Sequence, residues 1–210
     1  EDLAPPEYFW GYDNMTTIKG LFAAGDASGA SSHKFSSGSH AEGRIAAKSA
    51  IRYIVENNPN LNVDASQIDM WKEEILKPLD IYKEFEGKSS DPNIHPEYIK
   101  PKMFMFRLQK IMDEYAGGVS SQFKTSDKLL EKGLELLGML REDQANLAAE
   151  GLHELQRAWE NIHRSYQAES HMRSILFRTE TRWPGYYYRT DTPNIDNENW
   201  LAFCNCTYNK

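Results

Sequence analysis

Residues 20–54 constrain the fold of this chain most, because they join a short apolar run to a Gly/Ser-rich loop and a helix start. The run 21–24 has the length of a buried strand, and Gly25 ends it. Ser39 is a favoured N-cap residue and Glu42 completes a capping box, so we predict a helix that begins at Ser39. Backbone N–H groups at such a helix start favour an anionic or carbonyl-rich ligand.

The spacing of the glycines leaves two interpretations open. Gly25 and Gly29 are too far apart for a G-x-G-x-x-G fingerprint, and the same holds for Gly38 and Gly43. On spacing alone, a cofactor-binding turn and a tight turn before an ordinary helix therefore carry equal weight.

The composition excludes several kinds of function. The 210 residues are 40% hydrophobic with a formal net charge of −7, which suits one or two compact domains and argues against binding to nucleic acid or an anionic membrane. No apolar run approaches the roughly 18 residues of a membrane span. Cys204 and Cys206 are too few for an iron–sulfur cluster, so we expect free thiols in a reducing, cytoplasmic compartment and no metal site.

Most of the remaining chain is predicted to be helical. Beyond residue 60, apolar residues recur at helical spacing, which predicts an antiparallel four-helix bundle. Pro78 is expected to kink or break the first helix, and Pro101 lies in the first turn of the second or divides it. Gly133 and Gly138 suggest that the third approaches a neighbour closely. The predicted helices span residues 64–85, 95–115, 125–149 and 152–177.

The first part of the chain resembles the second flavin-binding segment of the succinate dehydrogenase/fumarate reductase flavoprotein superfamily. The resemblance lies in Gly-Leu-Phe-Ala-Ala-Gly-Asp at 20–26 and in the Gly-Ser and Gly-Arg pairs at 38–39 and 43–44. The loop His-Lys-Phe-Ser-Ser-Gly-Ser at 33–39 is most similar to the adenylylsulfate (APS) reductase alpha-subunit family, because most other members carry a His-Gly-Ala-Asn-Arg-type loop there.

The tail resembles the same superfamily. Glu-Thr-Arg at 180–182 and Arg-Thr-Asp at 189–191 are similar to its Glu-Ser-Arg … Arg-x-Asp-x-Pro signature. The run Arg-Trp-Pro-Gly-Tyr-Tyr-Tyr-Arg at 182–189 is longer than in most relatives and is typical of the APS reductase family. We interpret the tail as a buried loop held in place by arginine and aspartate side chains.

The resemblance implies a mixed α/β, mostly α chain in three parts. These are the C-terminal segment of an FAD-binding domain at 1–60, a helical bundle at 61–178 and an irregular tail at 179–210 that packs on the flavin domain. The Rossmann fingerprint that would hold the ADP half of the cofactor is lacking. We therefore expect the C-terminal portion of a longer subunit, inactive alone.

FAD is the cofactor that the resemblance implies. Asp26 would accept hydrogen bonds from the ribityl hydroxyls, and Gly25 would permit close backbone approach. The helix start would present N–H groups to the pyrimidine edge of the isoalloxazine. The implied cofactor-binding residues are Gly25, Asp26, Gly38, Ser39 and His40.

The activity that the resemblance implies is the reversible reduction of adenosine 5′-phosphosulfate to sulfite and AMP through a flavin N5–sulfite adduct, an oxidoreductase reaction of sulfur metabolism. His33 is the implied catalytic residue beside the reacting sulfur, and Lys34 adds charge for the anionic substrate. Electrons would come from iron–sulfur clusters in a separate beta subunit, so a heterodimer is expected.

Two other interpretations remain. A fumarate reductase or succinate dehydrogenase-type flavoprotein would carry arginine where Lys34 or Phe35 stands, and its tail would lack the additional residues. A helical interaction module without chemistry of its own would bind no FAD even within the full-length protein.

Overall fold

The structure is a computed structural model that describes residues 9–28, 35–60, 62–88, 95, 97–182, 186–202 and 204. The chain forms two compact units, Glu1–Val63 and Asp64–Lys210. Long helices dominate both units, and strands are few and short, so the chain is mixed α/β and mostly α, as predicted. The division into three parts at residues 60 and 178 stays a prediction.

The first unit begins with a short hairpin. An isolated antiparallel bridge joins Met15 to Phe22, and a 3₁₀ turn at Gly25–Ala27 follows. The buried strand predicted at 21–24 is wrong in the described residues. Because that segment pairs with a single neighbour, the side of it that carries Leu21 is open, and Leu21 is 51% exposed.

The long helix α1 spans Ser36–Asn57. It ends at a left-handed Asn58 with φ of 40°. It begins earlier than predicted, because the N–H of Ser39 already donates to the carbonyl of Phe35 at 3.0 Å. Ser39 is therefore inside the helix, and the predicted capping box with Glu42 is wrong.

Among the described residues, four longer helices build the second unit, and two sequence signals at the starts of these helices are confirmed. The Asp64 carboxylate accepts from the N–H of Ser66 at 2.9 Å and caps the first, and Pro101 is the first residue of the second. Of the two effects predicted at Pro78, the break is wrong, since the helix continues through it, and the kink stays a prediction. The helices are α2 (Ala65–Phe85), α3 (Pro101–Tyr115), α4 (Asp127–Asp143) and α5 (Leu152–Phe177).

One backbone pairing explains two helix bounds that differ from prediction. Ile99 and Leu147 form an isolated parallel bridge, with hydrogen bonds of 3.0 Å from Ile99 N–H to the Asn146 carbonyl and from Ala148 N–H to the Ile99 carbonyl. Both segments must be extended to make this bridge. Consequently α3 begins after the predicted residue 95, and α4 ends before the predicted residue 149.

The core of the second unit lies between α3, α4 and α5. Phe104, Leu130, Leu137 and Met172 are exposed by 1% or less. Helix α2 packs against α5 at its edge, where the indole N–H of Trp159 donates to a carbonyl of α2 at 3.0 Å. Helices α3, α4 and α5 therefore supply the core, and α2 packs against its edge.

Close helix contact is confirmed at one of the two glycines that predicted it. A Cβ on Gly133 would lie 2.8 Å from the Cβ of Tyr115 and 2.9 Å from the sulfur of Met172. A Cβ on Gly138 would meet nothing within 4 Å, so the prediction is wrong there.

In the described part of the tail, residues 179–182, 186–202 and 204, the chain is irregular apart from two short elements. Strand β1 (Lys124–Thr125) pairs in parallel with β2 (Tyr188–Arg189), and α6 spans Asn197–Trp200. Among the described residues, no helix has both the length and the apolar character that a membrane crossing requires.

Candidate functional site

In the first unit, the Gly25 turn lies directly against the first turns of α1. We name this region, formed by Asn14, Gly25, Ser39 and Glu42, the turn–helix corner. Gly25 is buried with φ of +65°, and a Cβ there would lie 3.2 Å from the Ser39 hydroxyl oxygen. Only glycine therefore fits this position without displacing a neighbour.

Three hydrogen bonds fix the turn in the corner. The Gly25 N–H donates to the Glu42 carboxylate at 2.8 Å, and the Asn14 side-chain amide donates to the carbonyl of Ala23 at 2.9 Å. The backbone of Asn14 also accepts from the N–H of Ala23 at 2.9 Å. The chain on both sides of Ala24 is therefore held, and the exposed Asp26 follows directly.

The predicted cofactor residues at the start of α1 do not all offer the same groups. Gly38 lies in the first turn, where the helix itself supplies no acceptor for the N–H. The N–H of Ser39 is already bonded to the Phe35 carbonyl, and His40 lies one residue further inside the helix. Of these three residues, Gly38 can therefore donate its backbone N–H to a ligand, whereas Ser39 and His40 can offer only their side chains.

The implied catalytic residue His33 and its neighbour Lys34 lie outside the described residues, as does Gly29. Of the predicted site, the structure brings Gly25 and Ser39 into contact and places Asp26 beside them in sequence. Sequence reasoning missed Asn14, for which the pattern gave no signal, and it assigned Glu42 to a different N–H.

A second polar cluster lies in the tail of the second unit, around the fully buried Glu180. The Glu180 carboxylate accepts from Arg178 at 2.6 Å, from Arg182 at 2.5 and 2.8 Å, and from the N–H of Asp196 at 2.8 Å. Burial alone would raise the pKa of Glu180, but the hydrogen bonds from Arg182, the Asp196 backbone and Arg178 outweigh it and lower the pKa to about 2.

A third cluster surrounds Arg189, which is 1% exposed. Its guanidinium donates to carbonyls at the end of α5, Ile175 at 2.6 Å and Arg178 at 3.1 Å, and to the Asp191 carboxylate at 2.8 and 2.9 Å. It also bonds Asp127 at the start of α4, whose N–H donates to Asp191 at 2.9 Å. Hydrogen bonding from Arg189 holds the pKa of Asp191 well below its ordinary value.

The Glu180 and Arg189 clusters are therefore structural. Together they tie the tail to the ends of α4 and α5, as the arginine and aspartate pattern suggested. Packing of this tail on a flavin domain stays a prediction.

A cleft of about 750 Å³ opens beside the tail. It is bordered by His171, Arg178, Trp200 and Cys204, and Arg178 donates to the Cys204 sulfur at 3.1 Å. Burial lowers the pKa of His171. In the part of the chain that the structure describes, no group of three or more His, Cys, Asp and Glu residues is arranged to hold a metal ion.

Comparison with known proteins adds sequence and structural relatives, although no family model matches the chain. The chain is 46% identical over 197 residues to the adenylylsulfate reductase subunit alpha of Megalodesulfovibrio gigas, covering 94% of this chain and 30% of that one. Adenylylsulfate reductase from the hyperthermophilic Archaeoglobus fulgidus superposes with a TM-score of 0.89 at 51% identity, covering 95% of this chain and 32% of that one.

Two further structures extend the comparison. Adenosine-5-phosphosulfate reductase in complex with sulfite, as a covalent adduct, matches with the same TM-score of 0.89, 51% identity and coverage of 95% and 32%. E. coli quinol fumarate reductase matches at 22% identity with a TM-score of 0.66, covering 90% of this chain and 31% of that one. The last likeness establishes a shared fold.

The chain thus has the fold of the succinate dehydrogenase/fumarate reductase flavoproteins. It belongs to the adenylylsulfate reductase alpha-subunit family and corresponds to its C-terminal part. It spans about a third of the length of the relatives it matches, 30% of one and 32% of the other.

Proposed function

We propose that this chain is the C-terminal portion of a catalytic alpha subunit that interconverts adenosine 5′-phosphosulfate with sulfite and AMP. The observation that carries the proposal is the turn–helix corner, in which Gly25 and Ser39 meet within a chain 46–51% identical to adenylylsulfate reductases. Bound FAD would supply the electron pair that reduces sulfur. The much lower identity to fumarate reductase, 22%, does not favour a dicarboxylate substrate.

The residues of the corner fit a flavin. Without a side chain, Gly25 lets the backbone of the turn pack directly against Ser39, and the same lack of a side chain permits a ligand to approach the turn backbone closely. Asp26 is an exposed carboxylate directly after the fixed turn, and its oxygens accept hydrogen bonds from ribityl hydroxyls. The Gly38 N–H lies at the positive end of α1, where negative charge on a reduced ring is stabilised.

His33 is assigned to the substrate side of this site. An imidazole there donates a hydrogen bond or positive charge as charge redistributes at the sulfur atom. A relative with sulfite held as a covalent adduct supports a route in which sulfite is bound covalently before it leaves. We assign the iron–sulfur clusters to a separate beta subunit in a cytoplasmic heterodimer, and the description of the relative as a subunit alpha supports the existence of a partner subunit.

The test uses the full-length protein that contains these residues, purified with its partner subunit. We expect flavin absorbance and APS-dependent release of AMP. His33→Ala should reduce the release sharply, whereas His153→Ala, at an exposed position on α5, should leave it unchanged. Equal activity of the two variants would refute the assignment of His33. A wild-type protein without flavin would instead indicate an interaction module.

A further inference from the structure

Among the contacts of the described residues, Glu42 supplies the one carboxylate that accepts a hydrogen bond from the backbone of the Gly25 turn. Gly25 is buried, and its N–H donates to Glu42 at 2.8 Å. A buried N–H without an acceptor is costly, so the turn depends on this carboxylate. Glu42 is half-buried on α1 and follows Ser39 by one helical turn.

The position of Glu42 on α1 makes its bond a geometric constraint. Side chains three residues apart lie on the same face of a helix, so Glu42 and Ser39 face the turn together. Ser39 sets the distance of closest approach, since a Cβ on Gly25 would already lie 3.2 Å from its hydroxyl. Glu42 holds the turn at that distance.

From this arrangement we propose that Glu42 is the positioning residue of the FAD site. Its carboxylate oxygen holds the Gly25–Ala27 turn against α1, and so fixes where Asp26 meets the cofactor. The proposal rests on the FAD-binding function proposed above. It assigns Glu42 no contact with FAD and no role for its charge; what matters is an acceptor at the correct reach.

Glu56 provides a matched control at the other end of the same helix. Its carboxylate also ties α1 to the preceding segment, because the Tyr12 hydroxyl donates to it at 2.7 Å. Both glutamates thus bridge the helix and the hairpin region, but only Glu42 reaches the Gly25 turn. A general loss of stability would affect both variants, and a loss of positioning would affect one.

The experiment measures the FAD dissociation constant of the full-length, deflavinated protein for Glu42→Gln, Glu42→Asp and Glu56→Asp. Glutamine keeps the reach and the acceptor oxygen, so Glu42→Gln should remain within about threefold of wild type. Aspartate keeps the charge and loses the reach, so Glu42→Asp should weaken binding about tenfold or more. Glu56→Asp shortens the tie to Tyr12 in the same way and should bind FAD as wild type does.

Three results would overturn the proposal. Glu42→Asp binding as tightly as wild type would show that the tie does not matter. Glu42→Gln weaker than Glu42→Asp would show that charge, not position, matters. Equal losses in Glu42→Asp and Glu56→Asp would show general destabilisation. In each of these cases wild type still binds FAD, whereas a wild type without FAD overturns the proposed function and this inference together.

Discussion

The turn–helix corner of the first unit and the Glu180 and Arg189 clusters of the second use polar side chains in opposite ways. In the tail, Glu180 is fully buried, and both of its carboxylate oxygens accept hydrogen bonds from arginine side chains or backbone N–H groups. These charges therefore stabilise the fold and are not available to a ligand. In the corner, Glu42 bonds the backbone while Asp26 stays exposed. Charged residues alone therefore do not mark a site; the corner qualifies because it fixes one carboxylate and leaves another accessible.

The largest loss of stability should come from replacing Arg189, whose buried charge contrasts most with the exposed Asp26 of the corner. Removing one partner of a buried charge cluster typically costs about 3–5 kcal/mol. Arg189→Leu also removes the guanidinium that caps the end of α5, so we expect a loss of stability of that order, measured by urea unfolding. Arg107→Leu, which breaks an exposed pair with Asp143, should change stability little. Similar losses in both variants would show that burial is not what matters.

Acid should weaken the tail through Glu180. Its pKa of about 2 in the folded protein is below its ordinary 4.5, so its contribution to stability is fully present above pH 4.5 and is lost as the pH falls toward 2. The difference corresponds to about 3 kcal/mol. Glu180→Gln should therefore be less stable than wild type at neutral pH, with a gap that narrows in acid.

The gap between Glu180→Gln and wild type is measured as thermal stability across that pH range. Glu198→Gln, at an exposed position on α6, is the control and should follow wild type throughout. A gap that stays constant with pH would contradict the role given to the Glu180 ion pairs.

A smaller pair of effects distinguishes the two glycines of α4. Gly133→Ala would place a Cβ 2.8 Å from Tyr115, and overpacking of this kind costs about 1–3 kcal/mol. Gly138→Ala has open space and should stabilise the helix by up to about 1 kcal/mol. Calorimetry on both variants checks the signs, and the same sign for both would contradict the packing described.

Sequence patterns predicted best where the determining contacts are local. Helix α2 begins at the Asp64 cap, and α2 and α5 end at the predicted residues 85 and 177. The missed bounds of α3 and α4 trace to the bridge between Ile99 and Leu147, a pairing of distant segments. Leu147 continues the apolar periodicity of α4 although its backbone is extended. Periodicity alone therefore could not distinguish the end of the helix from the extended segment that follows.

The same limit applies to the candidate site. The glycine and serine pattern identified the turn and the start of α1, and the structure brings Gly25 to Ser39. The sequence pattern could not identify which N–H donates to the Glu42 carboxylate, because a capping box and a bond to the distant Gly25 N–H use the same residue. Nor could it fix the helix start, since several serines before Gly38 can begin a helix.

The most direct test of the turn–helix corner as a flavin site is the FAD dissociation constant of Gly25→Ala compared with Gly11→Ala in the full-length protein. Both glycines have positive φ, +65° and +84°, but a Cβ on Gly11 meets nothing within 4 Å whereas one on Gly25 meets Ser39. We predict binding weakened about tenfold or more for Gly25→Ala and unchanged for Gly11→Ala. Equal FAD affinity in the two variants would contradict the placement of the cofactor at this corner.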